Sequence, residues 1–325
     1  MRTEAIVLRH TGGPEQLQLE EVALEEPGPG ELLVRHSAIA VNYHDIYVRS
    51  GLYQTLTLPG IPGLEASGIV ERCGAGVQGF SAGDRICYVA QGYGAYSRRR
   101  VLPAARAIAV PAGIDDEQAA SVSVKGFTAC VLLHRVYALR RGHTALIHAG
   151  AGGVGQLLVR WAHALGATVI TTVGSEEKAA IARACGADHV IQYRDEDFVA
   201  RVRQITAGAG VDVAYDGVGG ETFSGSLDCL ALRGTLVHFG QSAGAVPPLL
   251  VSRLAARSNA VVRPMLFHYI KDRADLQAIA AQTFAALQQG TISLATGLRV
   301  PLADAARAHQ ALESRATTGA VILIP

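Results

Sequence analysis

Residues 146–155 read Leu-Ile-His-Ala-Gly-Ala-Gly-Gly-Val-Gly. The apolar run from Thr144 to Ala149 enters a Gly150-x-Gly152-x-x-Gly155 turn, and Gln156–Leu165 beyond it has helical spacing. A strand, a glycine turn and a helix in this order aim backbone N–H groups and a positive helix end at a pyrophosphate. Gly150 suits the tight turn, Gly152 the close approach of backbone to phosphate, and Gly155 the packing of helix on strand. Gly153 and Val154 present their N–H groups to the same ligand. The spacing alone is weak in a chain with 36 glycines. The flanking strand and helix are what turn it into a dinucleotide-site expectation.

The whole chain has 325 residues, enough for about two domains with large cores. Hydrophobic residues make up 49% and charged residues 18%, an ordinary globular balance. The net charge of +1 provides no general basic field for nucleic acid. No apolar run reaches the roughly 18 residues that would suggest a membrane span. The opening Met1-Arg-Thr-Glu-Ala-Ile-Val-Leu8 reads as a strand and lacks a signal-peptide core. The five cysteines (Cys73, Cys87, Cys130, Cys185 and Cys229) are scattered, with no Cys-x-x-Cys pair. That argues against a structural zinc lobe or disulfide framework and points to a reducing, cytoplasmic setting.

The first 120 or so residues carry short apolar or alternating runs, namely Ala5–Leu8, Glu31–Ala40, Ala66–Cys73, Arg85–Tyr88 and Ala107–Val110. Pro27-Gly-Pro-Gly30, Pro59-Gly60, Pro62-Gly63 and Ser81-Ala-Gly-Asp84 punctuate them as turns. From Asp115 the pattern changes to strands alternating with helices, which predicts βαβ units and a parallel sheet. The chain closes with an apolar strand, Ala320–Ile324, which needs a sheet partner and is expected to return to the first domain. The fold class is therefore α/β, a doubly wound parallel sheet with a discontinuous β-rich domain.

The strand Thr168–Val173 ends in Gly174-Ser175, with no carboxylate at its tip. NAD sites commonly place an acid there for the ribose 2′-hydroxyl, and that acid would repel a 2′-phosphate. Ser175 reads as a helix N-cap, which puts Lys178 in the first turn. A cation there opposes the helix dipole by roughly 0.3–1 kcal/mol, a conflict that an anionic ligand removes. Glu176 and Glu177 are ordinary first-turn acids that offset Lys178. Tyr193, at the tip of the next strand, can hydrogen-bond the same phosphate. Together with Gly174, these residues favour NADPH over NADH.

Ala40-Val-Asn-Tyr-His-Asp-Ile-Tyr-Val-Arg-Ser-Gly-Leu-Tyr53 resembles the Asn-x-x-Asp-x-Tyr-x-Arg-x-Gly-x-Tyr segment of zinc-independent quinone oxidoreductases. These belong to the medium-chain dehydrogenase/reductase superfamily and have the zeta-crystallins among their relatives. Gly63–Val70, Gly83-Asp-Arg85, Ala149–Gly155, Ser226–Gly234 and Leu312–Thr317 look like family segments in family order. The resemblance implies a GroES-like catalytic domain from residues 1–124 and 262–325, around a Rossmann NADPH-binding domain at 125–261. It also implies a homodimer, NADPH as cofactor, and quinones or related conjugated carbonyl compounds as substrates. The superfamily's zinc enzymes place a Cys ligand where this chain has Asn42, a His where it has Leu64, and a further Cys near Lys125. An amide, an alkyl group and an ammonium cannot form a zinc shell, so no metal is expected. A quinone needs less help than an alcohol, because its carbonyls are already electrophilic.

In this reading the nicotinamide lies at the junction of the two domains, near Asn42, Tyr47, Tyr53, Lys125 and Thr128. Asn42 hydrogen-bonds the cofactor, and Tyr47 and Tyr53 line the acceptor pocket. Phe239 and Ser242 match the family loop near the nicotinamide, and Arg315 resembles the family arginine that reaches the cofactor. Asp216 orders a strand-end turn. His44 is more simply a structural histidine than a proton donor. An enal or enone reductase on the same scaffold is the nearest rival. A non-catalytic NADPH- or RNA-binding role is weaker, because Arg98-Arg-Arg100 is the only compact basic cluster and reads as a solvated strand edge.

Overall fold

The computed structural model describes every residue except Gln91 and Ala316, the latter inside the Leu312–Thr317 stretch. In chain order the first elements are β1 (Arg2–Leu8), β2 (Leu17–Ala23), β3 (Glu31–Val41), α1 (Tyr43–Ser50), β4 (Glu65–Cys73), β5 (Arg85–Val89), β6 (Arg99–Pro103), β7 (Ala107–Ala109) and α2 (Asp116–Val131). Then follow β8 (Thr144–His148), α3 (Gly153–Ala164), β9 (Thr168–Val173), α4 (Glu176–Ala184), β10 (His189–Gln192), α5 (Phe198–Ile205), β11 (Val211–Asp216), α6 (Phe223–Asp228), β12 (Leu230–His238) and β13 (Ala260–Val262). The chain ends with α7 (Leu266–Tyr269), α8 (Arg273–Gln288), β14 (Thr296–Pro301), α9 (Ala305–Glu313) and β15 (Ala320–Ile324).

Two compact units result. One comprises Met1–Gly126, Asp272–Phe284 and Leu294–Pro325, and the other Phe127–Lys271 and Ala285–Ser293. Residues 262–271 and 285–293, which the sequence reading assigns to the first domain, therefore pack in the second.

The first unit is built on a seven-stranded sheet in the order β14-β15-β3-β4-β5-β7, with β6 also on β3 and a separate β1-β2 hairpin. The closing strand finds its partner there, since Val321, Ile322 and Leu323 pair antiparallel with Val41, Ala40 and Ile39. Its side chains enter a core with Ile6, Leu32, Ile39, Val70, Ile86 and Tyr88. Helix α1 is missed by pattern reading because Tyr43–Ser50 is rich in aromatic and β-branched residues of modest helix propensity. Its ends define it instead. Asn42 precedes the first turn in extended conformation, Asp45 accepts from the Asn42 N–H at 2.8 Å, and Gly51 stops the helix at φ +84°.

The basic cluster lies on a partly exposed strand edge, as expected, and its arginines are also paired. Strand β6 pairs with β3, Arg98 and Arg99 are bridged to Glu4 and Glu71, and the Arg100 guanidinium lies 5.1 Å from the centre of the Tyr88 ring. The acids facing these arginines, and the aromatic face under Arg100, were invisible to local composition.

The second unit holds a six-stranded sheet in the order β10-β9-β8-β11-β12-β13, with every neighbouring pair parallel. Strand order reverses between β8 and β11, and the crevice at the carboxyl ends of such strands is where ligands bind in this architecture. Buried apolar runs such as Thr168–Val173 suit strands covered on both faces.

Leu323 is fully buried and Leu232 is 68% exposed. Leu323→Ala is expected to lower stability by about 2–5 kcal/mol in urea unfolding, against about 0.5 kcal/mol or less for Leu232→Ala.

Candidate active site

In the second unit the glycine turn follows β8 directly. The left-handed residue is Ala149 (φ +55°), not Gly150. Gly150 is required by its neighbour in β9, since a Cβ there would lie 2.1 Å from Thr171 Oγ1. A Cβ on Gly155 would lie 2.1 Å from the Ala149 carbonyl oxygen, so only glycine lets α3 start this close to the strand. Gly152 sits before α3 with no side-chain cap, and the first turn contains no acid. The opening N–H groups of a helix have no intrahelical partner, so this cradle suits a pyrophosphate.

Beyond the end of β9, Ser175 is the N-cap of α4. Ser175 Oγ accepts from the Lys178 N–H at 3.4 Å. The Tyr193 N–H donates to the Val173 carbonyl at 3.1 Å, and its hydroxyl would meet a Cβ on Gly174 at 2.8 Å. Lys178 is half-buried and Tyr193 is exposed. Glu176 is an acid of the first turn of α4, as expected. It accepts from Arg183 at 2.6 Å and Gln192 at 2.8 Å, and the Arg183 hydrogen bond lowers its pKa. At the ends of β11 and β12, the Phe239 N–H donates to the Asp216 carbonyl at 2.9 Å and the Ser242 N–H to that of Gly217 at 3.3 Å. The Asp216 carboxylate accepts from the Val218 and Gly219 N–H groups and from Thr222, which orders the turn as expected.

In the first unit, three donors converge on Glu65, a residue that sequence reading did not single out. Asn42 Nδ2 donates to Glu65 Oε1 at 2.8 Å, and Lys125 Nζ reaches the same oxygen at 3.3 Å. The Val124 N–H donates to the other carboxylate oxygen. Lys125 also donates to the Val41 carbonyl at 3.3 Å, and Thr128 follows one turn on in α2. Glu65 is fully buried, and burial raises its pKa against the pull of Lys125. The signal for Glu65 was a lone acid inside the otherwise apolar run Gly63–Val70.

Asp45 is also fully buried. Its Oδ2 accepts from the Asn42 N–H and from Tyr96 Oη at 3.2 Å, while Oδ1 has no hydrogen-bond partner. Burial pushes its carboxyl up to about 7.

Tyr47 and Tyr53 meet edge to face with ring centres 5.0 Å apart, and the Tyr53 N–H donates to the Tyr47 carbonyl at 2.9 Å. Tyr47 is buried and Tyr53 half-buried. Tyr43 Oη donates to the Leu312 carbonyl at 2.8 Å. Burial raises the Tyr43 pKa, and the nearby Arg315 guanidinium opposes that rise. Arg315 has φ +57° at the end of α9. Its approach to Tyr43 was not foreseen.

The positions held by metal ligands in zinc relatives do not suit zinc. Asn42 and Lys125 are both engaged by Glu65, Leu64 offers only carbon, and no three His, Cys, Asp or Glu side chains gather to hold a metal among the described residues. The glycine turn with Lys178 and Tyr193 does fit a phosphorylated dinucleotide.

Comparison with known proteins agrees with this geometry. Residues 28–112 match the model of the alcohol dehydrogenase GroES-like domain, and residues 153–285 that of a zinc-binding dehydrogenase. Quinone oxidoreductase 1 of Escherichia coli is 44% identical over 97% of each chain. A 2-haloacrylate reductase of a Burkholderia species is 40% identical over 99% of this chain and 98% of its own. The crystal structure of Escherichia coli quinone oxidoreductase complexed with NADPH superposes with a TM-score of 0.96 at 43% identity, covering 99% of this chain and 100% of that one.

Two outcomes follow from these groups. Lys178→Glu is expected to weaken NADPH binding at least tenfold by calorimetry, or about 1.4 kcal/mol, while NADH changes far less. An equal loss for both cofactors would contradict the 2′-phosphate assignment. Because the folded pKa of Asp45 lies above its unfolded value, folding favours the protonated form, so its contribution to stability declines as pH rises from about 4 to about 7. Asp45→Asn should flatten that decline in urea midpoints measured across this range.

Proposed function

This chain belongs to the quinone oxidoreductase family of the medium-chain dehydrogenase/reductase superfamily, and from that membership we propose that it reduces quinones with NADPH and without a metal. The observation carrying this reading is that Asn42, where the superfamily's zinc enzymes have a ligand, and Lys125, near a further one, are hydrogen-bonded to Glu65. NADPH, when bound, supplies the hydride.

Each residue then has a defined task. The N–H groups of Gly152, Gly153 and Val154 hold the pyrophosphate, with Gly150 and Gly155 shaping the turn. Lys178 and Tyr193, beside Gly174, hold the 2′-phosphate. Asn42, Lys125, Thr128, Phe239 and Ser242 orient the nicotinamide end, and Arg315 closes on the cofactor from the C-terminal segment. Asn42 Nδ2 gives one of its two N–H groups to Glu65, which fixes the plane of the amide that faces the cofactor. Tyr47 and Tyr53 present faces and hydroxyls to a flat acceptor, and water or a hydroxyl protonates the reduced oxygen.

The relationship to a 2-haloacrylate reductase favours activated alkenes as a second acceptor class. The reading includes a cytoplasmic homodimer. The edge strand β13, with Leu250 and Val251 each 77% exposed nearby in the chain, is the surface such a dimer would cover. Among the described residues no helix is long and apolar enough to cross a membrane.

Coenzyme oxidation measured over a panel of 1,4-quinones and α,β-unsaturated ketones, with NADPH and NADH in parallel, tests the proposal. Quinones should be turned over fastest with NADPH and without added zinc. No quinone turnover, or turnover that disappears with chelator and returns with zinc, would sink it.

A further inference from the structure

The residues that surround Tyr53 include a polar chain to which the proposed reaction assigns no role. His44, on α1, places its ring edge-on to Tyr53, with centres 5.3 Å apart and planes at 73°. His44 Nε2 lies 3.0 Å from Tyr93 Oη, and the same hydroxyl hydrogen-bonds Thr55 Oγ1. Tyr53 is thus flanked by His44 on one side and Tyr47 on the other.

The loop carrying Tyr53 runs between Gly51 and Pro59. It exposes Leu52, Thr55 and Leu58 to solvent, while Leu56 packs against the core. Its ties near Tyr53 include the Tyr53 N–H to the Tyr47 carbonyl and the Thr55–Tyr93 bond. Tyr93 is itself costly to place. It holds φ +56°, a left-handed conformation that is an outlier for a bulky side chain, yet it is 4% exposed. Strain of this kind persists where the surroundings over-determine it and clusters at ligand sites. Here the neighbouring Gly94 N–H donates to the Ile61 carbonyl at 2.8 Å, which fixes the turn that aims the ring. Tyr93 also walls a cavity of about 530 Å³ together with Leu56, Pro59 and Ile61, next to the same loop. Burial pushes His44 down to about 4, so at neutral pH its ring is uncharged and can accept from the Tyr93 hydroxyl.

We propose that His44, Tyr93 and Thr55 are positioning residues that pin the 52–58 loop and set the Tyr53 ring as one wall of the acceptor site. The inference rests on the reading of Tyr47 and Tyr53 as acceptor-facing residues. The pin acts on acceptor binding through Tyr53, and its three residues carry none of the tasks assigned to NADPH binding.

Tyr93→Phe removes both hydroxyl links and Thr55→Val only the one to Thr55, and Thr55 is exposed, so its variant leaves the core intact. With saturating NADPH and 1,4-naphthoquinone as acceptor, each should raise KM about tenfold with kcat within about twofold, and NADPH affinity by calorimetry should stay at the parent value. His44→Gln, which keeps a polar partner for Tyr93, should retain a lower KM than His44→Ala. Amide hydrogen exchange across residues 52–58 should quicken in Tyr93→Phe even with no acceptor present. Unchanged exchange, an unchanged KM, or a KM change accompanied by an equal loss of NADPH affinity overturns the pin. Tyr53→Ala separates the two levels. If it leaves the quinone KM unchanged, the acceptor-wall reading has failed. If it raises KM while Tyr93→Phe and Thr55→Val do not, only the pin has failed.

Discussion

A single buried carboxylate organises the first unit. Glu65 sits on β4 with no solvent exposure, and its two oxygens are answered from the end of β3 by Asn42 and from α2 by Lys125 and the Val124 N–H. Taking both charges out of water costs several kcal/mol per ion, which their attraction repays only when remaining lone pairs find donors. Here they do. Removing one partner of such a pair typically costs about 3–5 kcal/mol, because the other charge is left buried and unanswered. The same contacts fix where Asn42, Lys125 and the first turn of α1 lie, so the pair sets geometry more than it adds stability.

Asp45 carries the arrangement further along α1. Its carboxylate holds the Asn42 N–H, and through Tyr96 it connects to His309 on α9 at 3.0 Å. At the far end of α1, Arg49 is buried in a two-point ion pair with Glu313, with distances of 2.6 and 2.9 Å. Helix α1 is thus tied at both ends to α9, which leads into Arg315. A short helix of weak intrinsic propensity is stable here because polar groups at its ends and buried side chains along it do what propensity cannot.

In the second unit the controlling constraint is steric. Gly150 and Gly155 are glycine because Thr171 and the Ala149 carbonyl occupy the space of a Cβ. That closeness brings the uncapped start of α3 to the carboxyl end of the sheet, beside the Ser175–Lys178 turn. Parallel sheet order then places the Phe239–Ser242 loop along the same edge.

Much of this was legible in the chain itself. The glycine turn, the alternation of β8 to β12 with helices, the N-cap at Ser175, the turn at Asp216 and the return of Ala320–Ile324 all follow from local periodicity, capping chemistry and the need of an apolar strand for a partner. What local pattern could not reveal was who answers whom across the fold. Glu65, Tyr93, the partners of Arg98–Arg100 and the Tyr96 that donates to Asp45 lie far in sequence from the groups they meet. Backbone conformation and hydrophobic face are set by neighbours within a few residues, so sequence alone determines them. The pairing of buried charge is set by which strands and helices pack together, so only the tertiary structure decides it.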